Sequence, residues 1–266
     1  LWVNKLVAQA ELLVAEGFIE PHFFAGFSGG RKAVLPGVVS RRTVMYNHNS
    51  TFIDNDNCAA GVLEGNPIHQ DMLFAAHRAG LAFIVNVVLD QNKNIVFACA
   101  GEPVAAHAAG VSFLNKHCRV QKTLSDIVIT TNGGYPLDQN IYQAVKGMAA
   151  GARCVKQGGT VIMVAQSGDG HGGEQFLCDF ANDLSLDTIL TRFRATPPED
   201  TPQDQWQSQI FANVLKKASV IFVSDAPDDM VRALRMTPAH TIEEALALAG
   251  EGSVTIMPDG IGVIVV

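Results

Sequence analysis

Apolar runs and polar helical stretches alternate along this chain in two successive series. In the first, residues 2–10 have the spacing of a short amphipathic helix, and the apolar run LLVAEGF within residues 11–18 predicts a buried strand. Ser40 is placed to cap a helix that runs to about His48, with Arg41, Arg42 and Thr43 in its first turns. Asn66-Pro67 interrupts the pattern, and residues 68–80 predict a helix stopped by a glycine. The runs LAFIVNVVLD and NIVFACAGEP flank residues 91–93, which predicts a hairpin, and residues 104–118 predict a further helix.

The second series starts near Val120. SDIVITTNGG reads as a strand and a glycine turn, residues 138–157 as a helix, and GGTVIMVAQSG as another strand and turn. Residues 205–217 read as helix, ASVIFVSD as strand and residues 241–249 as helix. Strongly apolar strands that alternate with helices predict a parallel, layered sheet. The expected fold class is therefore α/β: two layered, Rossmann-like domains with mainly parallel sheets and a cleft between them. The expected division is 1–119, 120–250, and a closing pair of strands in 251–266. The simplest destination of that pair is the second sheet; the alternative is a return to the first domain.

Composition narrows the classes. A 266-residue chain that is 48% hydrophobic and 17% charged can bury a sizeable core and is not disordered. The net charge of −7 gives no general affinity for nucleic acid or an anionic membrane, so any phosphate binding must be local. Five cysteines with no CxxC pair argue against a disulfide framework or a zinc site and read as reduced thiols in a cytoplasmic protein. No apolar run is long enough to span a membrane, and no signal peptide is visible. The chain enters its first helical pattern at Leu1, so a segment upstream is expected in the parent protein.

The chemistry concentrates in two places. The first is PHFFAGFSGGRK at 21–32, followed by YNHNS at 46–50. GFSGGRK fails the phosphate-loop pattern, because Arg31 precedes Lys32 and Ala33 stands where a hydroxyl residue is needed. The physics of such a loop remains: Gly29 and Gly30 let backbone amides approach an anion, and Arg31 and Lys32 add charge. The alternative is a simple turn with solvated cations. His22 and His48 bracket Lys32, and either can act as a base, as a metal ligand or as a structural residue. The second place is TTNGGYPLDQNIYQAVKG at 130–147, where Asn132, Gly133 and Gly134 follow a strand. Gln143 and Lys146 share a helix face and could hold a carboxylate or form a solvated surface. HGGE at 171–174 reads as a turn before a helix, and Trp206 as core or lid aromatic.

PHFFAGFSGGRKAVLPGV with the later NH pair, DQNIYQAVKG and the closing MPDG together resemble the lactate racemase family, the nickel-pincer-nucleotide-dependent 2-hydroxyacid racemases and epimerases. The resemblance runs over essentially the whole chain, which looks like the later two-thirds of such an enzyme. It implies that Lys32 carries the cofactor covalently, a pyridinium-3-thioamide-5-thiocarboxylic acid mononucleotide with nickel. It implies His48 as the protein ligand to nickel, a metal that soft sulfur donors and an imidazole suit. It implies His22 as a catalytic histidine, and Gln143 and Lys146, with Tyr142 beside them, as substrate contacts. Trp206 falls at the substrate-pocket tryptophan.

The implied reaction inverts C2 of a 2-hydroxy acid by reversible hydride transfer to the cofactor, with histidine acid–base help. The implied partners are a small 2-hydroxy acid and the proteins that make the cofactor. A second catalytic histidine, a substrate-binding arginine and part of the phosphate site belong to the family's amino-terminal segment, so this chain alone is expected to be inactive. The alternative is a non-catalytic relative that binds a nucleotide or organic acid as a sensor or carrier. A nicotinamide-dependent dehydrogenase is disfavoured, because no G-x-G-x-x-G follows a strand.

Overall fold

A strand of branched and aromatic residues, LAFIVNVVL, forms the centre of the first unit, which comprises Leu1–Arg119 and Pro197–Thr201. The computed structural model describes residues 1–266. In order, this unit contains α1 (Lys5–Ala8), β1 (Leu13–Phe18), β2 (Pro21–His22), β3 (Gly26–Phe27), a 3-10 turn (Gly30–Ala33), α2 (Arg41–Asn47), α3 (Ser50–Ile53), α4 (Pro67–Arg78), β4 (Leu81–Leu89), β5 (Ile95–Gly101) and α5 (Pro103–His117). The sheet order is β1-β4-β5, with β1 parallel to β4 and the β4–β5 hairpin antiparallel. Helix α5 packs on this sheet, where Ile84, Asn86 and Val88 of β4 are buried.

Two expectations are corrected here. The helix expected over residues 2–10 is only Lys5–Ala8, because the Asn4 side chain caps it and Val3 is drawn into a bridge with Val39. The strand at Leu13–Phe18 exists but is not buried: Val14 and Phe18 are 49% and 47% exposed. Val14 pairs with Phe83, two residues before the exposed Val85, so one face of the sheet presents apolar side chains to solvent.

The second unit comprises Val120–Thr196 and Pro202–Val266. It follows β6 (Arg119–Val120) and runs β7 (Ser125–Thr131), α6 (Ile141–Cys154), β8 (Val155–Val164), α7 (Glu174–Phe180), α8 (Leu186–Ala195), α9 (Gln205–Lys217), β9 (Ser219–Val223), α10 (Asp228–Ala233), β10 (Thr237–Ala239), α11 (Ile242–Ala249), β11 (Val254–Met257) and β12 (Ile264–Val265). Five strands form a sheet in the order β10-β9-β8-β7-β11, and every pair is parallel. Alternate residues feed two cores. Val128, Val161, Met163 and Phe222 pack with Ile141, Met148 and Phe211 on one side, and Ile127, Ile129, Ile162 and Ile221 pack with Ala245 on the other. The fold is thus α/β with mainly parallel sheets. Of the closing strands, β11 joins this sheet beside β7, and β12 pairs with β6.

The helix expected over 138–157 starts at Ile141, because the Asn140 side chain accepts from the Gln143 amide at 2.9 Å and ends the preceding loop. The helix expected after HGGE is α7, whereas α3, α8 and α10 have no counterpart in the pattern. No helix is long and apolar enough to cross a membrane.

Candidate functional site

The loop between β3 and α2 is held from below by two side chains. Asn86 of β4 accepts a hydrogen bond from the Gly30 amide at 2.8 Å. The Arg31 guanidinium, 2% exposed, donates to the carbonyls of Ala25 at 2.8 Å and Ser28 at 3.3 Å and lies 3.0 Å from His107 Nε2. Burial lowers Arg31 to about 9. Gly29 and Gly30 have φ of 75° and 52°, and a Cβ on Gly30 would stand 2.9 Å from the His107 ring.

These contacts correct part of the anion-loop reading. The amide of Gly30 is committed to Asn86 and that of Lys32 to the Gly29 carbonyl, so neither is an anion donor. Arg31 points inward and braces the loop. Lys32 is half-buried, unlike its neighbour Arg31.

His48 sits at the corner between α2 and α3. Ser40 caps α2 by accepting from Thr43, and Asn49 caps α3 by accepting from Phe52, so the two helices meet at residues 48 and 49. The imidazole is 5% exposed, and burial, followed by the Lys32 charge, lowers it to about 3. His48 is therefore neutral at physiological pH. Its Nδ1 lies 3.0 Å from the Val44 carbonyl, which can only accept, so Nδ1 carries the proton and Nε2 carries the lone pair. A ring oriented by a backbone carbonyl at one nitrogen is the usual arrangement of a metal-binding histidine. Phe24 packs edge-on against both His22 and His48, with ring centroids 4.5 and 5.2 Å away.

His22 lies on β2, and its Nδ1 accepts from the Ala25 amide at 3.2 Å. In that tautomer Nε2 holds the proton. His22, Lys32 and His48 thus belong to one local cluster in the first unit, with Lys32 the charge that His48 senses. No group of three His, Cys, Asp or Glu side chains is arranged to hold a metal. A metal on His48 would have to take its remaining donors from a cofactor.

In the second unit the candidate residues lie at the carboxyl ends of the parallel strands, where helices present their amino ends. Tyr142 and Trp206 are brought together: the Tyr142 hydroxyl hydrogen-bonds to both Asp204 and Trp206, and burial, then Asp204, pushes it well above the usual phenol range. Gln207 donates to the Tyr142 carbonyl. Gln143 and Lys146 are half-buried one turn apart on α6, and Gln143 Oε1 has no hydrogen-bond partner.

Asn132 is not an exposed ligand position, although its place after a strand suggested one. Its side chain is 1% exposed and accepts from the Gly147 amide at 2.9 Å while donating to the Gln143 carbonyl at 2.7 Å. It fixes the turn of α6 that carries Gln143 and Lys146. A Cβ on Gly147 would meet Asn132 Oδ1 at 2.6 Å. His171 accepts from the Gly173 amide at 3.1 Å in the turn before α7, the plainer reading of HGGE.

Sequence reasoning missed Asn86, His107, Asn132 as a brace, and Asp204. Asn86 left one trace, as the lone polar residue inside an apolar strand run. The others left none, because they act through contacts distant in sequence.

Residues 1–61 match the family model described as the lactate racemase N-terminal domain, and residues 120–265 match the lactate racemase C-terminal domain. The chain is 48% identical over 271 residues to a lactate racemase of Thermoanaerobacterium thermosaccharolyticum, covering 100% of the chain and 64% of the relative. It is 51% identical over 269 residues to a lactate racemase of Lactiplantibacillus plantarum, covering 99% of the chain and 63% of the relative. The chain therefore spans a little under two-thirds of these relatives. The solved structure of the lactate racemase apoprotein from T. thermosaccharolyticum superposes with a TM-score of 0.96 at 48% identity, over 99% of this chain and 64% of that one. A Thermotoga maritima protein of 17% identity, with a TM-score of 0.66 over 99% of this chain and 69% of that one, shares the fold.

Proposed function

Because the chain belongs to the lactate racemase family, we propose that it is the cofactor-bearing and carboxyl-terminal portion of a racemase or epimerase acting on a 2-hydroxy acid. The observation that carries the reading is His48: buried, neutral, oriented through Nδ1 and placed beside Lys32. A protonated histidine could not bind a metal, and an unoriented one would do so poorly.

The residues present fit the family's cofactor. Lys32 would carry the nickel-pincer nucleotide and His48 Nε2 would face its nickel; when bound, that group supplies an acceptor and donor of hydride at C2 of the substrate. His22 exchanges the hydroxyl proton at Nε2. With Nδ1 accepting from the Ala25 amide, Nε2 holds a proton, so accepting one there requires His22 to release that amide and carry its proton on Nδ1. Gln143 and Lys146 receive the substrate carboxylate, an amide and an ammonium on one helix face. Tyr142 and Trp206 wall the substrate, their polar ends tied to Asp204 and to each other.

The test is the mass of the Lys32 peptide after production in cells that make the cofactor, beside a known lactate racemase as control. An adduct on Lys32 is expected, together with nickel that is lost in His48→Ala. An unmodified Lys32 beside a modified control would refute the reading and leave a non-catalytic binder in its place.

A further inference from the structure

A cavity of about 150 Å3 opens within the first unit on the inner side of the Arg31 brace. Its walls come from α4, the amino end of α5 and the 3-10 turn. It has room for about five water molecules, or for an acid of a few carbons. Most of the lining is aliphatic, including Ala76, Leu81 and Ala108.

One side differs. Arg31, His69 and His107 all line the cavity, and they are close enough for Arg31 and His107 each to oppose protonation of His69. Arg31 Nε and His69 Nδ1 have no hydrogen-bond partner, although both atoms are buried. The Arg31 side chain is almost wholly buried, and its bonded donors meet only carbonyls and His107. A guanidinium removed from water without a counter-charge is costly, and an entering anion would offset that cost.

The remaining charged and titratable groups on the lining restrict the anion. Glu102 caps α5, its carboxylate accepting from Val104 and Ala105 at 3.1 and 2.8 Å, so the helix end is already satisfied. Its charge at the rim disfavours a dianion. His77, two turns beyond His69 on α4, lines the cavity at its exposed rim. One buried cation, two imidazoles and an aliphatic floor fit a single carboxylate with a short apolar tail.

We propose that this cavity binds a short aliphatic monocarboxylate, its carboxylate against Arg31 and His69 and its tail on Leu81, Ala76 and Ala108. The site is separate from the His22, Lys32 and His48 cluster in the residues it uses. It adjoins that cluster through Arg31, the residue that holds the Lys32 loop in place. Occupancy would therefore stiffen the loop from behind. The proposal does not depend on the racemase reading, since it needs no cofactor.

The test is a titration of the full chain with sodium butyrate, read at the ring carbons of His69 and His107 by NMR. Sodium chloride at equal ionic strength and 1-butanol serve as controls. A saturable shift of both rings with butyrate alone is expected. Ala108→Trp, at the rim, should abolish it while leaving the melting temperature unchanged. His69→Phe, read at His107, should weaken binding about tenfold, the effect of one charge-assisted hydrogen bond. No saturable shift, an equal response to butanol, or full affinity in His69→Phe overturns the proposal. Shifts confined to His22 and His48 that persist in Ala108→Trp also overturn it, by placing the acid at the other cluster.

Discussion

The two sheets of this chain are finished to different degrees. In the second unit, alternate residues of the same strands enter separate cores, so both faces are covered. In the first, α5 packs on the sheet, yet Val14, Phe18, Phe83 and Val85 stand exposed. Parallel strands are ordinarily covered on both sides. The second unit thus carries its stability in a closed core. The first invests in pinning a loop, through Asn86, Arg31 and His107, beneath the residues proposed for chemistry.

The comparison makes its sharpest claim about cores. Phe222→Ala, at a fully buried site, should cost about 3–5 kcal/mol. Phe83→Ala, on the open face, should cost under about 1 kcal/mol. Urea unfolding of both variants measures the contrast, and equal costs would break it. A smaller effect comes from the brace in α6. Asn132→Ala should cost about 2–3 kcal/mol by removing a buried side chain that bonds the Gly147 amide and the Leu137 and Gln143 carbonyls. Hydrogen exchange should quicken at residues 141–147 and little elsewhere.

Acid should separate the units next. His48, His69 and His107 all lie in the first unit, and burial lowers them to about 3, 4 and 4 from an ordinary 6.5. Between pH 6.5 and about 4 the unfolded chain takes up protons that the folded unit refuses. Stability therefore falls as pH falls through that window, and it is fully present above it. Exchange measured at pH 7 and pH 5 should show protection lost first in Leu1–Arg119, and equal loss in both units would contradict the assignment. The smallest effect belongs to Val85→Thr on the open face, expected within about 0.5 kcal/mol; a large loss in the same urea assay would mean that this face is covered in solution.

Much of this was legible in the chain. The alternation of strand and helix gave the layered α/β class, the Ser40 cap gave the start of α2, and the break at Asn66-Pro67 placed the start of α4 within one residue of Pro67. The exposed β1 was misread because an apolar run records what a strand is suited to meet and cannot say whether anything meets it. The helices α3 and α10, of four and six residues, carry too few turns for a clear periodicity. Among candidate site residues, the reading of Arg31 failed most instructively. Its neighbour Lys32 has the same charge, yet five residues of loop geometry and one distant histidine turn Arg31 inward. Sequence gives the chemistry a side chain can perform, whereas its direction depends on partners far along the chain.

Asn132 has a consequence for the order of assembly. It follows the last residue of β7 directly, and its amide completes a turn of α6 only 15 positions away. Helix α6 therefore reaches its final bonding only with that strand end in place, where the Asn132 amide also donates to the Leu137 carbonyl of the connecting loop. The two should consolidate as one cooperative unit of low contact order. During synthesis this pair could close soon after Gly147 leaves the ribosome, before β9, β10 and β11 exist to flank it.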